Sequence, residues 1–181
     1  MLYGIALPPY ELVRKYESQG NWAVKKYYQF PFNIFYKKKL RMIIDMLQPG
    51  KIYRNILDFG GGPAQIFKKE LGKHAMSVTS YNLPIIDPRW KFDVIVCASV
   101  LEFVSFQHTL KGLSKSLAPR GFMVVASPMD NWITRLYFWA IGDKNLRHTH
   151  TQMLKQLERY FDITEYKSWL GLYFACKAVP K

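Results

Sequence analysis

At 181 residues, 49% apolar and 22% charged, the chain fits one domain with a full hydrophobic core, a balance that excludes a disordered or fibrous protein. Its 26 Lys and Arg against 13 Asp and Glu leave a net charge of +13, a field that draws nucleic acid, anionic lipid or acidic metabolites without choosing among them. Cys97 and Cys176 each lie inside an apolar run, which fits buried side chains in a reducing cytoplasm and speaks against a disulfide scaffold or a metal site.

The opening MLYGIALPPY has neither the basic start nor the cleavage-like end of a signal peptide. Residues 1–50 read as a basic, aromatic extension in which Lys25, Lys26, Lys37, Lys38, Lys39 and Arg41 interleave with Tyr27, Tyr28, Phe30, Phe32, Phe35 and Tyr36. Within it, Leu40, Ile43, Ile44 and Leu47 recur at helical spacing, which predicts a helix over 36–47 that packs on a sheet and stops before Pro49-Gly50. From Ile52 onward the pattern becomes strand, glycine turn, helix, strand, as parallel βαβ construction requires. Strands are expected at 55–59, 76–81, 93–98 and 122–126, in near-continuous apolar runs suited to a sheet covered on both faces. Helices are expected at 63–71, with Pro63 in a favourable first-turn position, and at 106–117, where Leu110, Leu113 and Leu117 share a face. An aromatic insert at 127–140 follows; its longest apolar stretch is broken by Arg135 and falls short of the roughly 18 residues that a spanning helix needs. A helix at 151–161 and two strands at 163–169 and 172–178, joined at Leu170-Gly171 as an antiparallel pair, complete the chain. These elements predict one Rossmann-like α/β domain over 1–181: a three-layer sandwich with a mostly parallel six- or seven-stranded sheet, an antiparallel closing strand and a helical N-terminal extension ahead of the 51–181 core.

The most informative stretch is Ile56-Leu57-Asp58-Phe59-Gly60-Gly61-Gly62-Pro63-Ala64, an acidic residue at a strand end followed by a turn of glycines into a helix. Main chain without Cβ atoms lets N–H groups and a helix N-terminus approach a ligand closely, although glycines can also serve only to tighten such a connection. A dinucleotide fingerprint is excluded because Gln65 holds its third glycine position, and a Walker phosphate loop because its Lys-Ser/Thr pair is missing.

Three segments in chain order resemble the motifs of class I S-adenosylmethionine-dependent methyltransferases. ILDFGGGPAQ is similar to the family's first motif, with Gly60, Gly62 and Ala64 at the small positions. Residues 91–104, KFDVIVCASVLEFV, resemble its fourth strand and following loop, and SKSLAPRGFMVVA at 114–126 resembles the helix, turn and fifth strand after it. The resemblance covers about residue 52 to the C-terminus and implies S-adenosylmethionine as cofactor. The contacts it implies are Asp58, Phe59, Gly60, Gly61 and Gly62, then Asn82 and Leu83, then Ala98, Ser99 and Val100, all at carboxyl ends of strands, where open α/β sheets bind ligands. Three departures stand out. Asn82 takes the place of the acidic residue that holds the ribose hydroxyls, Phe103 replaces a frequent histidine, and only about ten residues separate Asn82 from Asp93 where a helix and a strand usually fit.

Methyl transfer from a sulfonium needs alignment of nucleophile, methyl carbon and sulfur more than it needs a proton shuttle. The candidate bases are His148 and His150, with the alternative that both face solvent ahead of the last helix, capped by Thr149 or Thr151. No further Cys, His or Asp cluster accompanies this pair, so no metal is expected. In the insert at 127–140, Trp132 and Tyr137 either cover core or line an apolar pocket for a small or lipid-like acceptor. Basic residues beside aromatics also suit peripheral contact of a cytoplasmic protein with an anionic membrane. Nucleic-acid methylation is the competing activity, with Ala98-Ser99-Val100-Leu101 standing where one base-methylating group carries [DN]-P-P-[YF]. A degenerate, non-catalytic binding module is the third reading.

Overall fold

In the run Tyr53–Phe59, strand β1, the last four residues are all buried, because consecutive side chains of a strand point to opposite faces and here both faces are covered. The structure, a computed structural model, describes residues 30–31, 33–60, 67–81, 89–101, 104–141 and 149–181. The further strands are β2 (Ala75–Tyr81), β3 (Phe92–Ala98), β4 (Leu117–Pro128), β5 (Phe161–Trp169) and β6 (Tyr173–Pro180). Among the described residues they form one six-stranded sheet in the order β2-β1-β3-β4-β6-β5. The first four strands are parallel, and β6 lies antiparallel between β4 and β5. The expected mostly parallel sheet with an antiparallel closing strand is therefore present.

Helix α1 (Asn33–Ile44) covers one face, together with the short α2 (Lys68–Leu71) and a single 3₁₀ turn at Gly72–His74. Tyr36, Leu40 and Ile43 of α1 pack there on Ile56, Val94, Val96, Val124 and Ala175. Helices α3 (Phe106–Ser116) and α5 (His150–Leu157) cover the other face. Leu110, Leu113, Met153 and Leu157 meet Leu57, Ile95, Cys97, Met123 and Phe174 on that side. Each such Leu contributes about 1.5–3 kcal/mol by leaving water. Helix α4 (Trp132–Ile141) packs on the β5–β6 turn and, through Tyr137, on Phe35 of α1. Among the described residues no helix is long and apolar enough to cross a membrane.

Boundaries moved where local chemistry outweighed periodicity. Helix α1 starts three residues before the expected 36–47, and its last turn loosens into the i to i−3 bonds Met46 N–H to Ile43 O and Leu47 N–H to Ile44 O. Strand β4 begins at Leu117, not at 122, because the Ala118–Gly121 stretch folds into a bulge against Phe92, where the pairing jumps from Phe92–Leu117 to Val94–Phe122. Gly121 is required there: a Cβ would lie 2.9–3.1 Å from the carbonyl oxygens of Ala118, Phe92 and Asp93. Helix α5 ends at Leu157, four residues short of expectation, and β5 takes up the chain from Phe161. Its start is fixed by a capping box in which Gln152 N–H donates to Thr149 Oγ1 at 3.2 Å and Thr149 N–H donates to Gln152 Oε1 at 3.3 Å. The expected helix at 63–71 is described only as Lys68–Leu71, and residues 82–88, ahead of β3, lie outside the described residues.

Candidate functional site at the carboxyl edge

Parallel pairing brings three strand ends level. Asp58 is registered with Ser80, and Phe59 with both Tyr81 and Cys97, so the carboxyl ends of β1, β2 and β3 lie side by side. Gly60 turns the chain away from β1 with φ +76, a left-handed conformation in which glycine pays no steric penalty, and a Cβ there would collide with the side chain of Val100. Ser99 also takes a positive φ of 54, held by its N–H donating to Ala126 O at 2.7 Å. Asp58, Phe59, Gly60, Ala98, Ser99 and Val100 thus gather at one edge. Gly61, Gly62, Asn82 and Leu83, expected to complete the group, lie outside the described residues.

Asp58 shares the α1-covered face with Ile56 and is fully buried. Ser80 Oγ donates to Asp58 Oδ2 at 3.3 Å, while Asp58 Oδ1 has no partner among the described residues. Burial disfavours the charged carboxylate and pushes its pKa up to about 7, the serine hydrogen bond opposing the shift. An orphaned acceptor at that depth costs free energy unless something donates to it, which makes this oxygen a candidate for one side of a site.

The second side comes from α1. Lys39 is 6% exposed, and its Nζ donates to Ser99 Oγ at 3.0 Å while lying 5.8 Å from the Phe67 ring centre and 5.5 Å from that of Tyr173. One helical turn earlier, Tyr36 stacks on Phe67 at 5.8 Å. Burial, then Glu70 and Asp58, raise the pKa of its phenol, so it stays neutral. Sequence reasoning did not select Lys39 or Tyr36. The available signal was a lysine at helical spacing between Tyr36 and Ile43, on the apolar face of its own helix, where burial of an amine is costly.

His150 opens α5, and its Nδ1 accepts the main-chain N–H of Asp130 at 3.1 Å, with the Phe174 ring 6.2 Å away. With Nδ1 accepting, the proton of the neutral ring resides on Nε2, which is then a donor; this tautomer is inferred from the hydrogen bond. His148 lies outside the described residues. Trp132 and Tyr137 take opposite sides of α4. Tyr137 is buried with Leu172 and Tyr173 and meets Phe35 at 4.4 Å between ring centres, whereas Trp132 is 73% exposed. Among the described residues no group of three His, Cys, Asp or Glu side chains converges as a metal site would require.

Neither a family model nor a curated protein matches the sequence. Solved structures do match the fold. The N-methyltransferase NodS from Bradyrhizobium japonicum, in complex with S-adenosyl-L-homocysteine, is 16% identical with a TM-score of 0.61 over 94% of this chain and 97% of that one. Human N-acetylserotonin methyltransferase, in complex with S-adenosylmethionine, is 15% identical with a TM-score of 0.63 over 97% of this chain and 60% of that longer one. A TehB-like S-adenosylmethionine-dependent methyltransferase from Corynebacterium glutamicum is 13% identical with a TM-score of 0.59 over 94% and 99%. The chain has the class I methyltransferase fold.

Proposed function

We propose that this protein is a methyltransferase that uses S-adenosylmethionine and methylates a small acceptor of apolar or lipid-like character. The observation that carries this reading is the open, buried Oδ1 of Asp58 beside the left-handed turn at Gly60, on the carboxyl edge of a methyltransferase fold. The donor set fits the cofactor's amino-acid end. In this reading Asp58 Oδ1 accepts from an ammonium, and Lys39, bonded to Ser99, offers a cation to a carboxylate. Gly61 and Gly62 are assigned to the approach of the nucleoside, Asn82 with its amide to the ribose hydroxyls, and Leu83, Ala98 and Val100 to the base. When bound, the cofactor supplies a methyl group on a sulfonium, ready for in-line displacement.

The chain's own contribution is orientation and exclusion of water. Asp58, Ser80, Ser99 and Lys39 are held by one another or by the sheet, so they meet a ligand without first being ordered. His150 receives a bracing role in this reading, since its Nδ1 already holds the exit of β4. The reading extends to a single cytoplasmic domain over 1–181. Its alternative as a nucleic-acid methyltransferase draws on the +13 charge and requires RNA binding with a steep salt slope. A non-catalytic module would bind the cofactor and transfer nothing.

Calorimetric titration of the full chain with S-adenosylmethionine and S-adenosylhomocysteine is the test. Binding of both is expected, and it should weaken in Lys39→Met; the absence of heat with either ligand overturns the proposal.

A further inference from the structure

Helix α4 is apolar on most of its surface, Arg135 being its one charged residue. Its inner side is set by Thr134, Tyr137 and the half-buried Phe138: Thr134 is fully buried with Oγ1 donating to Gly171 O at 3.2 Å, and Tyr137 packs on Tyr173 and Phe138. The outer side carries Trp132 at 73%, Leu136 at 55% and Trp139 at 74% exposure, flanked by Ile133. Positions 132, 136 and 139 fall within one turn-spaced stripe of a helix, so the two tryptophans and the leucine form a continuous ridge. Leu170, also exposed, lies at the adjoining turn, next to the Gly171 whose carbonyl receives Thr134 and Asn131. Helices α3 and α5 show the contrast: their outward residues are Gln107, His108, Lys111 and Lys115, and Thr151, Gln152 and Lys155. Water is the normal neighbour of those helices and an unfavourable one for α4.

We infer that α4 is a membrane-docking helix whose Trp132–Leu136–Trp139 ridge seats in the headgroup boundary of an anionic phospholipid bilayer. Three observations select this occupant. A net charge of +13 complements an anionic surface, whereas a second copy of the chain would bring the same sign to the contact. Tryptophan at both ends of a short ridge is the composition of the polar–apolar boundary of a bilayer, where an indole keeps its ring among acyl chains and its N–H near water. At ten residues the helix spans about 15 Å, too short to cross a bilayer and long enough to lie in its surface. Arg135, on the edge of the ridge with 72% of its side chain exposed, is placed to meet lipid phosphate from its present ion pair with Asp130 at 3.0 Å. The inference is independent of what the carboxyl edge binds.

The test is flotation of the full chain with vesicles of phosphatidylcholine alone and of phosphatidylcholine mixed with phosphatidylserine. The protein should float with the mixed vesicles and be partly released by salt. A variant carrying Trp132→Ser, Leu136→Ser and Trp139→Ser should bind at least about tenfold more weakly while its melting temperature and cofactor titration stay unchanged. Failure of the wild type to float with anionic vesicles, or equal flotation of the variant, overturns the inference. A concentration-dependent dimer in sedimentation that the same substitutions abolish overturns it in favour of a second copy.

Discussion

The two faces of the sheet are built to different rules. Under α3 and α5 the central packing is apolar, with Leu110, Leu113, Met153 and Leu157 against Leu57, Ile95 and Met123. Under α1 the packing is also buried, yet it takes in Lys39, Asp58 and Glu70 at 6%, 0% and 5% exposure. Buried charge is a poor way to stabilise a fold, since desolvation offsets most of what pairing returns. On the proposed function, one face is scaffold and the edge of the other is the place where stability is given up for binding.

Substitutions should separate the two. The largest effect is expected on the scaffold face, where Leu113→Ala should lower unfolding free energy by about 2–5 kcal/mol in denaturant titration and leave the cofactor affinity of the folded fraction intact. Gly60→Ala joins the faces: a side chain at φ +76 strains the backbone and strikes Val100, with an expected loss of about 2–4 kcal/mol, part of which Val100→Ala should restore in a double-mutant cycle. Asp58→Asn should act in opposite directions on stability and binding. It removes the disfavoured buried charge, so the ligand-free protein should melt higher at pH 8, while cofactor affinity falls by about 1.5–3 kcal/mol in calorimetry. A variant that melts lower and binds normally would make Asp58 a scaffold residue. The smallest effect belongs to Thr149→Ala, which should cost about 1 kcal/mol through the lost cap of α5.

The parallel core was readable because its strands are continuous apolar runs between turn residues, and 55–59, 76–81, 93–98 and 122–126 all fall within observed strands. What escaped was set by contacts between distant segments. Lys39 reads as a solvated lysine until α1 is laid over Ser99, sixty positions away in sequence. The sequence shows α4 only as an aromatic insert, since a segment with apolar residues on nearly every side carries little period to reveal a helix. The extra length of β4 depends on Gly121 meeting the carbonyls of Phe92 and Asp93, which sequence spacing does not encode. The gathering of Asp58, Phe59, Gly60, Ala98, Ser99 and Val100 at one edge was legible from the strands themselves, and the placement of the insert's aromatics was not, because Tyr137 turned inward and Trp132 outward.

The account stands most directly on the titration of Asp58. Its carboxyl, ordinarily near 3.8, is raised to about 7 in the folded chain, so the stability of its protonated form is present below 3.8 and lost as pH rises through 7. An ammonium ligand needs the ionised form, so binding must gain over that same range. Calorimetric titration with S-adenosylhomocysteine should therefore show affinity about tenfold higher at pH 8 than at pH 6, with protons released on binding, and Asp58→Asn should flatten the dependence. Equal affinity at both pH values in the wild type would contradict the account.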